Sequence, residues 1–311
     1  MPRQPLPFHL VNAFAATPHA GNQAAVVIIP ADDPRATDEK WMLEVAADFN
    51  LSETAFLVPI DAEAEIPKYG LRWFTPAVEV PLCGHATFAS AFTLFNYVHP
   101  KAKALHFETR WRGALGATLE SERGQGARVG LTLPISDAEV TPESTALAAR
   151  IAGALSLAES SIVKIASFAF GGPSAVVQIK DDVDLAALKP AEIAKLMPDV
   201  SVAAVTQLIE SKSTPETLAI TARVFGPGVG IDEDPVTGSA WAVLTGYYLN
   251  GAGVETTRKV IGPAADSTKV TIDARQLSAR GGAMTIDLQQ DKAQLVGSGF
   301  RYGYGTLEAF D

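Results

Sequence analysis

The sequence has a single cysteine, Cys83, in 311 residues, so no disulfide can form within the chain. That lone thiol, and a start (MPRQPLPF) without the charged and apolar regions of an export signal, make a cytoplasmic location the expectation. Basic side chains are in deficit, with 25 Lys and Arg against 35 Asp and Glu, for a net charge of -10. A nucleic-acid partner would demand a basic face, which argues against that class. Long apolar runs are missing too. The longest near the start, residues 24–29, is far too short to cross a bilayer, so no membrane association is expected. Histidine is scarce. His9, His19, His85, His99 and His106 show no metal-site spacing, and no Cys or carboxylate cluster accompanies them in the sequence. There is no P-loop and no nucleotide-binding glycine fingerprint, so no cofactor is expected.

What is present is duplication. Arg72, Phe74 and Pro76 are answered by Arg223, Phe225 and Pro227, an offset of 151 residues. Pro81, Gly84 and Ala86 are answered by Pro235, Gly238 and Ala240, an offset of 154, and GNQAAVV (21–27) by GGPSAVV (171–177), an offset of 150. Three matches in one order at nearly one spacing read as an internal repeat. A hydrophobic content of 47% supports a core in each half. The expected halves are residues 1–126, with the C-terminal strand at about 299–311 as a candidate addition, and residues 127–298.

Each half reads as strands around one apolar helix. In the first, strands fall at 8–14, 24–29, 54–59, 71–74, 104–109 and 114–121. Thr37 is expected to cap a helix to Phe49, with apolar residues at helical spacing. Residues 84–97 are small or apolar on nearly every side, and a helix apolar all round is a buried one. Residues 129–133 read as part of the passage between halves. The second half repeats the plan: helices near 142–155 and 189–196, and strands at 162–168, 175–180, 202–209 and 218–225. A second buried helix spans 239–249, with strands at 270–272, 283–288, 293–298 and 301–310. A helix with no polar face must be enclosed, and a curved sheet is the enclosure on offer. The fold class is therefore α+β, two pseudo-symmetric barrel-like domains of mixed strands, each around a central helix, with a cleft between them.

Both buried helices begin at a glycine after a Pro-containing turn, Pro81 to Gly84 and Pro235 to Gly238. The first amides of a helix lack intrahelical partners and carry the positive end of its dipole. Two such ends facing one cleft would hold a carboxylate. A plain helix start explains one such turn on its own, and the repetition favours a site.

Here the residues resemble a family. GNQAAVV, LSETAF (51–56), RWFTPAVEVPLCGHAT (72–87) and EDPVTGSA (233–240) together look like the phenazine-biosynthesis PhzF-type isomerases, which have the diaminopimelate epimerase-like fold. The resemblance implies a proton moved between carbons of a small carboxylic acid, with Glu53 as general acid/base. It places His85 and Asp234 in the same site, and Gly84, Gly238 and Ser239 on the substrate carboxylate. It also suggests a homodimer. Asn22 and Gln23 read as supporting residues that line the cleft or cap a turn. From spacing alone Glu53 would be a solvated carboxylate before a strand, and His85 a polar second residue of a helix.

The rival chemistry in this fold uses two thiols, one beginning each buried helix. Cys83 stands at the first position and Thr237 at the second, so a two-thiol racemase is excluded by count. A one-thiol dehydratase or epimerase with Cys83 as base is the alternative. A thiol at a helix start is expected to have a lowered pKa. It is weighed against a small buried hydrophobe before a helix. A catalytically silent binding protein on the same scaffold is the third reading.

Overall fold

Strands dominate the computed structural model and helices are few. It describes residues 4–135, 141–142, 152–169, 172–189, 193, 200–263 and 270–308. The chain divides into two compact units, residues 1–132 with 296–311, and residues 133–295.

In the first unit the strands are β1 (Leu6–Ala13), β2 (Asn22–Ile28), β3 (Glu53–Asp61), β4 (Lys68–Phe74), β5 (Glu79–Val80), β6 (Ala104–Thr109), β7 (Gly113–Leu119) and β8 (Arg128–Pro134). Strand β1 pairs antiparallel with β2, β3 with β4, β4 with β5, β6 with β7, and β7 with β8. Two steps are parallel, β2 to β3 and β4 to β6. Parallel neighbours need a crossover of a dozen or more residues, and each crossover here carries a helix. Helix α1 (Glu39–Phe49) makes the first, α2 (Gly84–Thr93) the second. Residues 129–133 form a strand of the sheet, and the boundary between the two units falls within that strand. Val129, Leu131 and Leu133 alternate inward, which is a strand period.

Helix α1 presents Met42, Val45 and Ala46 to Val27, Phe56 and Phe74, with Trp41 and Phe49 at the margin. Asp38, and not Thr37, is its N-cap: the Asp38 carboxylate accepts from the Trp41 amide at 3.0 Å. Thr37 instead closes a short 3-10 turn, Pro34–Thr37. The carboxylate wins because it both accepts that amide and carries the charge favoured at a helix start. Asp38→Ala should therefore cost about 0.5–2 kcal/mol of stability. Thr37→Ala should cost clearly less in the same urea titration, and equal losses would contradict the assignment.

Helix α2 is buried at every residue. Phe88 and Phe92 have no exposed surface, and the helix packs against β1, β2, β3 and β7. A π-type turn, Leu94–Val98, continues it.

The second unit holds β9 (Thr141–Pro142), β10 (Ile162–Ala169), β11 (Pro173–Ile179), β12 (Ala203–Leu208), β13 (Thr217–Gly226), β14 (Ile231–Asp234), β15 (Thr271–Gln276), β16 (Gly282–Gln289) and β17 (Lys292–Ser298). Its pairing repeats that of the first unit: β10 antiparallel to β11, β11 parallel to β12, and β12 antiparallel to β13. Then β13 is antiparallel to β14 and parallel to β15, and β15 is antiparallel to β16. The buried helix α3 (Gly238–Leu249) occupies the place of α2 in this order, and α4 (Val254–Ile261) follows it. The final strand β18 (Phe300–Leu307) returns to pair antiparallel with β1, as β9 pairs with β10. The expected helix at 189–196, and most of that at 142–155, lie outside the described residues. The fold therefore repeats one strand order in each unit, with one buried apolar helix at the same point of each repeat.

The repeat extends to side chains. Arg72 on β4 donates through Nε and Nη2 to Glu79 at 2.7 and 2.6 Å, and its guanidinium lies 5.2 Å from the Phe74 ring. Arg223 on β13 donates through the same nitrogens to Glu233 at 2.6 and 2.9 Å and lies 5.2 Å from the Phe225 ring. Among the described residues no helix is long and apolar enough to cross a membrane.

Candidate active site

Asn22 opens β2 and Glu53 opens β3. These strands run parallel with Ala24 level with Glu53, so both beginnings reach the same end of the sheet. Gly21 makes the turn that places Asn22. Its φ is +79°, and a Cβ there would stand 2.4 Å from the Ala13 carbonyl oxygen. Only glycine fits such a position without strain. Helix α2 begins at that same end and delivers Cys83 as its N-cap residue, Gly84 as its first and His85 as its second.

These residues form one connected group. His85 Nε2 lies 3.1 Å from Glu53 Oε2. That carboxylate oxygen is buried against the ring. On the other side of the ring, Asn22 Nδ2 is 3.1 Å from His85 Nδ1, and Ser52 Oγ donates to Asn22 Oδ1 at 3.2 Å. The Asn22 amide can donate to a bare Nδ1 or, turned over, accept from a protonated one. Ser52 can answer either orientation. Cys83 Sγ lies 3.5 Å from Nδ1 and 4.0 Å from Nε2.

The electrostatics separate the two candidate bases. Burial pushes the Cys83 thiol up to about 11, and the neighbouring Glu53 charge pushes the same way. The lowered thiol pKa expected of a helix start is therefore overturned. Desolvation of a fully enclosed thiol outweighs the positive helix end and the adjacent imidazole. For His85, burial opposes the charged ring, but Cys83 and Glu53 beside it outweigh it and raise the imidazole well above its ordinary value. With Cys83 a thiol at neutral pH, the Glu53 carboxylate is the group that supports an imidazolium there. His85 has both a cysteine and a carboxylate beside it, one ligand atom from each of Glu53, Cys83 and His85 lying within 4.8 Å of the others. Sequence spacing hid this because Glu53 arrives from another strand.

In the second unit Asp234, Thr237, Gly238 and Ser239 gather at the start of α3. Thr237 Oγ1 donates to Asp234 Oδ2 at 2.5 Å. The organiser is Gln276 on β15, almost fully buried. Its Oε1 accepts from the Thr237 amide and from Trp241 Nε1, both at 3.0 Å, while its Nε2 donates to the Asp234 carbonyl at 2.7 Å. Ser278 Oγ fixes the Pro235 carbonyl at 2.7 Å. Gln276 and Ser278 carried no sequence signal, and Ser52 was visible only as part of LSETAF.

The lineage is decided over nearly the whole length. A family model described as phenazine biosynthesis-like protein, PhzC-PhzF, matches residues 11–299. The chain belongs to the PhzC-PhzF family. A Pseudomonas aeruginosa protein named an uncharacterized isomerase is 33% identical, with 96% of each chain covered. A crystal structure of a PhzF-family phenazine biosynthesis protein from Enterococcus faecalis shares 30% identity, with a TM-score of 0.75 over 98% of this chain and 100% of that one. A probable proline racemase from Agrobacterium radiobacter matches at a TM-score of 0.59 and 12% identity, over 98% of this chain and 93% of that one. This last likeness is one of fold alone. The fold and the family resemblance expected from the motifs both hold, and the PhzF-type chain is grouped with proteins named as isomerases.

Proposed function

We propose that this PhzF-type chain moves a proton between carbons of a small carboxylic acid, with Glu53 as the general acid/base. In this reading the Glu53 carboxylate takes the proton of a C–H bond adjacent to an electron-withdrawing group. The carboxylic acid so formed returns the proton to a second carbon. The observation that carries the reading is the Glu53–His85 contact of 3.1 Å, in which an imidazolium steadies the carboxylate between transfers. Asn22 and Ser52 hold that ring through its far nitrogen. The amides at Gly84 and Gly238 and the Ser239 hydroxyl are the proposed grip on the substrate carboxylate, because helix starts favour anions. Asp234 and Thr237 complete the group in the second unit. The name of the Pseudomonas relative as an isomerase supports the class.

The one-thiol alternative loses support from the Cys83 environment. A thiol with a pKa near 11 has on the order of one part in 10⁴ as thiolate at pH 7, which is a poor reservoir of base. A cytoplasmic location suits the single unpaired thiol.

The direct test incubates the purified protein, without added cofactor, in deuterated water with a panel of cyclic and aromatic amino and hydroxy acids. Deuterium should enter one carbon of at least one acid at a rate proportional to protein concentration. A panel with no exchange above the protein-free control would overturn the reading. The chain is also proposed to assemble as a homodimer. Light scattering should return twice the 32.8 kDa chain mass at micromolar concentration, and a single chain's mass would refute it.

A further inference from the structure

Strand β18 carries a bulge that places a charge. Leu10 of β1 is level with Gly303 and Val11 with Arg301, so Tyr302 is an extra residue with nothing opposite it. One extra residue reverses the side-chain alternation and re-aims a side chain. Arg301 and Tyr304, three positions apart, thereby share a face, with the guanidinium 4.4 Å from the Tyr304 ring. It also lies 3.7 Å from the ring of Tyr97, which the π-type turn at the end of α2 supplies. His9 stacks on Tyr97 at 5.4 Å, and Arg301 Nη1 donates to His9 Nδ1 at 3.3 Å. Gln125 pins the backbone: its Nε2 donates to the Arg301 carbonyl at 2.9 Å and its Oε1 accepts the Arg301 amide at 2.8 Å.

The guanidinium is thus fixed but not neutralised. Burial first, and the Arg301 charge second, push His9 down to about 4, so at pH 7 that ring is neutral. No carboxylate among the described residues pairs with Arg301, in a chain of net charge -10. Seven residues on, Glu308 is exposed, and no cation among the described residues pairs with it. Between the two, Tyr302, Tyr304 and Thr306 are exposed while Gly303, Gly305 and Leu307 are not, and Glu308 continues that alternation on the Tyr304 face. The Tyr304 side is open, with 73% of the residue exposed.

We propose that this face of β18 binds a second copy of the chain about a two-fold axis, Arg301 of each copy pairing with Glu308 of the other. Along the strand the two charges stand roughly 20 Å apart, too far to meet within one chain. Turned end for end about a point between Tyr304 and Gly305, the strand brings position 301 level with position 308. A two-fold contact requires such self-complementarity, residue i meeting j while j meets i. Tyrosine and arginine are also the residues that dominate the centres of protein contacts. The inference rests on the homodimer proposed above and names its face and its ion pairs.

The test measures the mass of the full chain by light scattering for the unsubstituted protein, Arg301→Glu, Glu308→Arg and an equimolar mixture of the two variants. The unsubstituted chain should be a dimer. Each variant should weaken self-association about tenfold or more, because like charges then face each other at both ends of the contact. Mixing should restore the dimer, since one variant is acidic at both positions and the other basic at both. Glu308→Arg guards against a misfolded Arg301 variant, because Glu308 has no partner among the described residues to lose. Unchanged self-association in Glu308→Arg would overturn this face and leave the homodimer standing. Variants folded by near-ultraviolet dichroism that stay monomeric when mixed would overturn the Arg301–Glu308 pairing. A single-chain mass for the unsubstituted protein would remove the homodimer, and this face with it.

Discussion

Glu53→Gln should abolish solvent-proton exchange while the fold and carboxylate binding persist. The change is nearly isosteric and removes only the ability to carry the proton. Loss of general acid/base help costs on the order of 10²–10⁴ in rate, and more for a group that makes both transfers. Binding should change little, because the proposed grip on the substrate carboxylate lies in backbone amides and Ser239. Cys83→Ser should cost far less, through packing and a small shift of His85. Alkylation separates the two bases independently. With the thiol at about 11, the thiolate fraction grows tenfold per pH unit through neutrality and up to that value. Iodoacetamide labelling of Cys83 should therefore be slow at pH 7 and climb steeply toward pH 10. Fast labelling at pH 7, with exchange surviving in Glu53→Gln, would instead make Cys83 the base.

The architecture was legible because its signals are local and repeated. An apolar helix flanked by Pro–Gly turns announces its own burial, and it occurs twice. The R-x-F-x-P repeat marks the strand that each parallel crossover leaves. Where the reading of the chain went wrong, a short segment was the cause. Helix α4 carried no expectation because it is only eight residues long. Thr37 and Asp38 are adjacent cap residues, and only the geometry of the preceding 3-10 turn chooses between them.

The site was legible residue by residue but not as an environment. Glu53, His85 and Asn22 were visible in motifs, and the fold joins them because parallel strands start at one edge. The Cys83 thiol shows why motif position misleads. The helix start offers about half a positive charge, whereas complete burial removes the water that would stabilise a thiolate. Gln276 lies 39 residues beyond Thr237 and has no companion in the sequence to mark it. Nor did either half announce its Arg–Glu pair, although Glu79 and Glu233 keep the same 154-residue offset as Gly84 and Gly238.

That pair supplies the largest expected loss of stability, and the repeat supplies its own control. In the second unit Arg223 and Glu233 are almost fully enclosed, with 5% and 10% of their side chains exposed. Besides Glu233, the Arg223 Nη1 donates to the carbonyls of Leu185, Ala186 and Leu188 at 3.2, 3.1 and 2.6 Å. Arg223→Met leaves a buried carboxylate and the Ala186 and Leu188 carbonyls without their Arg223 donor, while the Leu185 carbonyl keeps the Leu188 amide. Removing one partner of a buried pair costs about 3–5 kcal/mol, a large share of the roughly 5–15 kcal/mol that stabilises a domain. The first unit's Arg72 is 19% exposed, and its additional partner, Glu39, is 56% exposed, so water can replace part of what is lost. Arg72→Met should therefore cost less, roughly 1–3 kcal/mol. Replacing Arg223 and Glu233 together by methionine should recover part of the single-variant loss, because no orphaned charge remains. Urea unfolding at pH 7 measures all four proteins. Equal losses at Arg72 and Arg223, or a double variant no better than Arg223→Met, would show that burial of the pair is not what makes it matter. Because Glu233 immediately precedes Asp234, a freed Glu233 should also disturb the Asp234–Thr237–Gln276 group. Exchange activity should then fall in Arg223→Met even at temperatures where it remains folded.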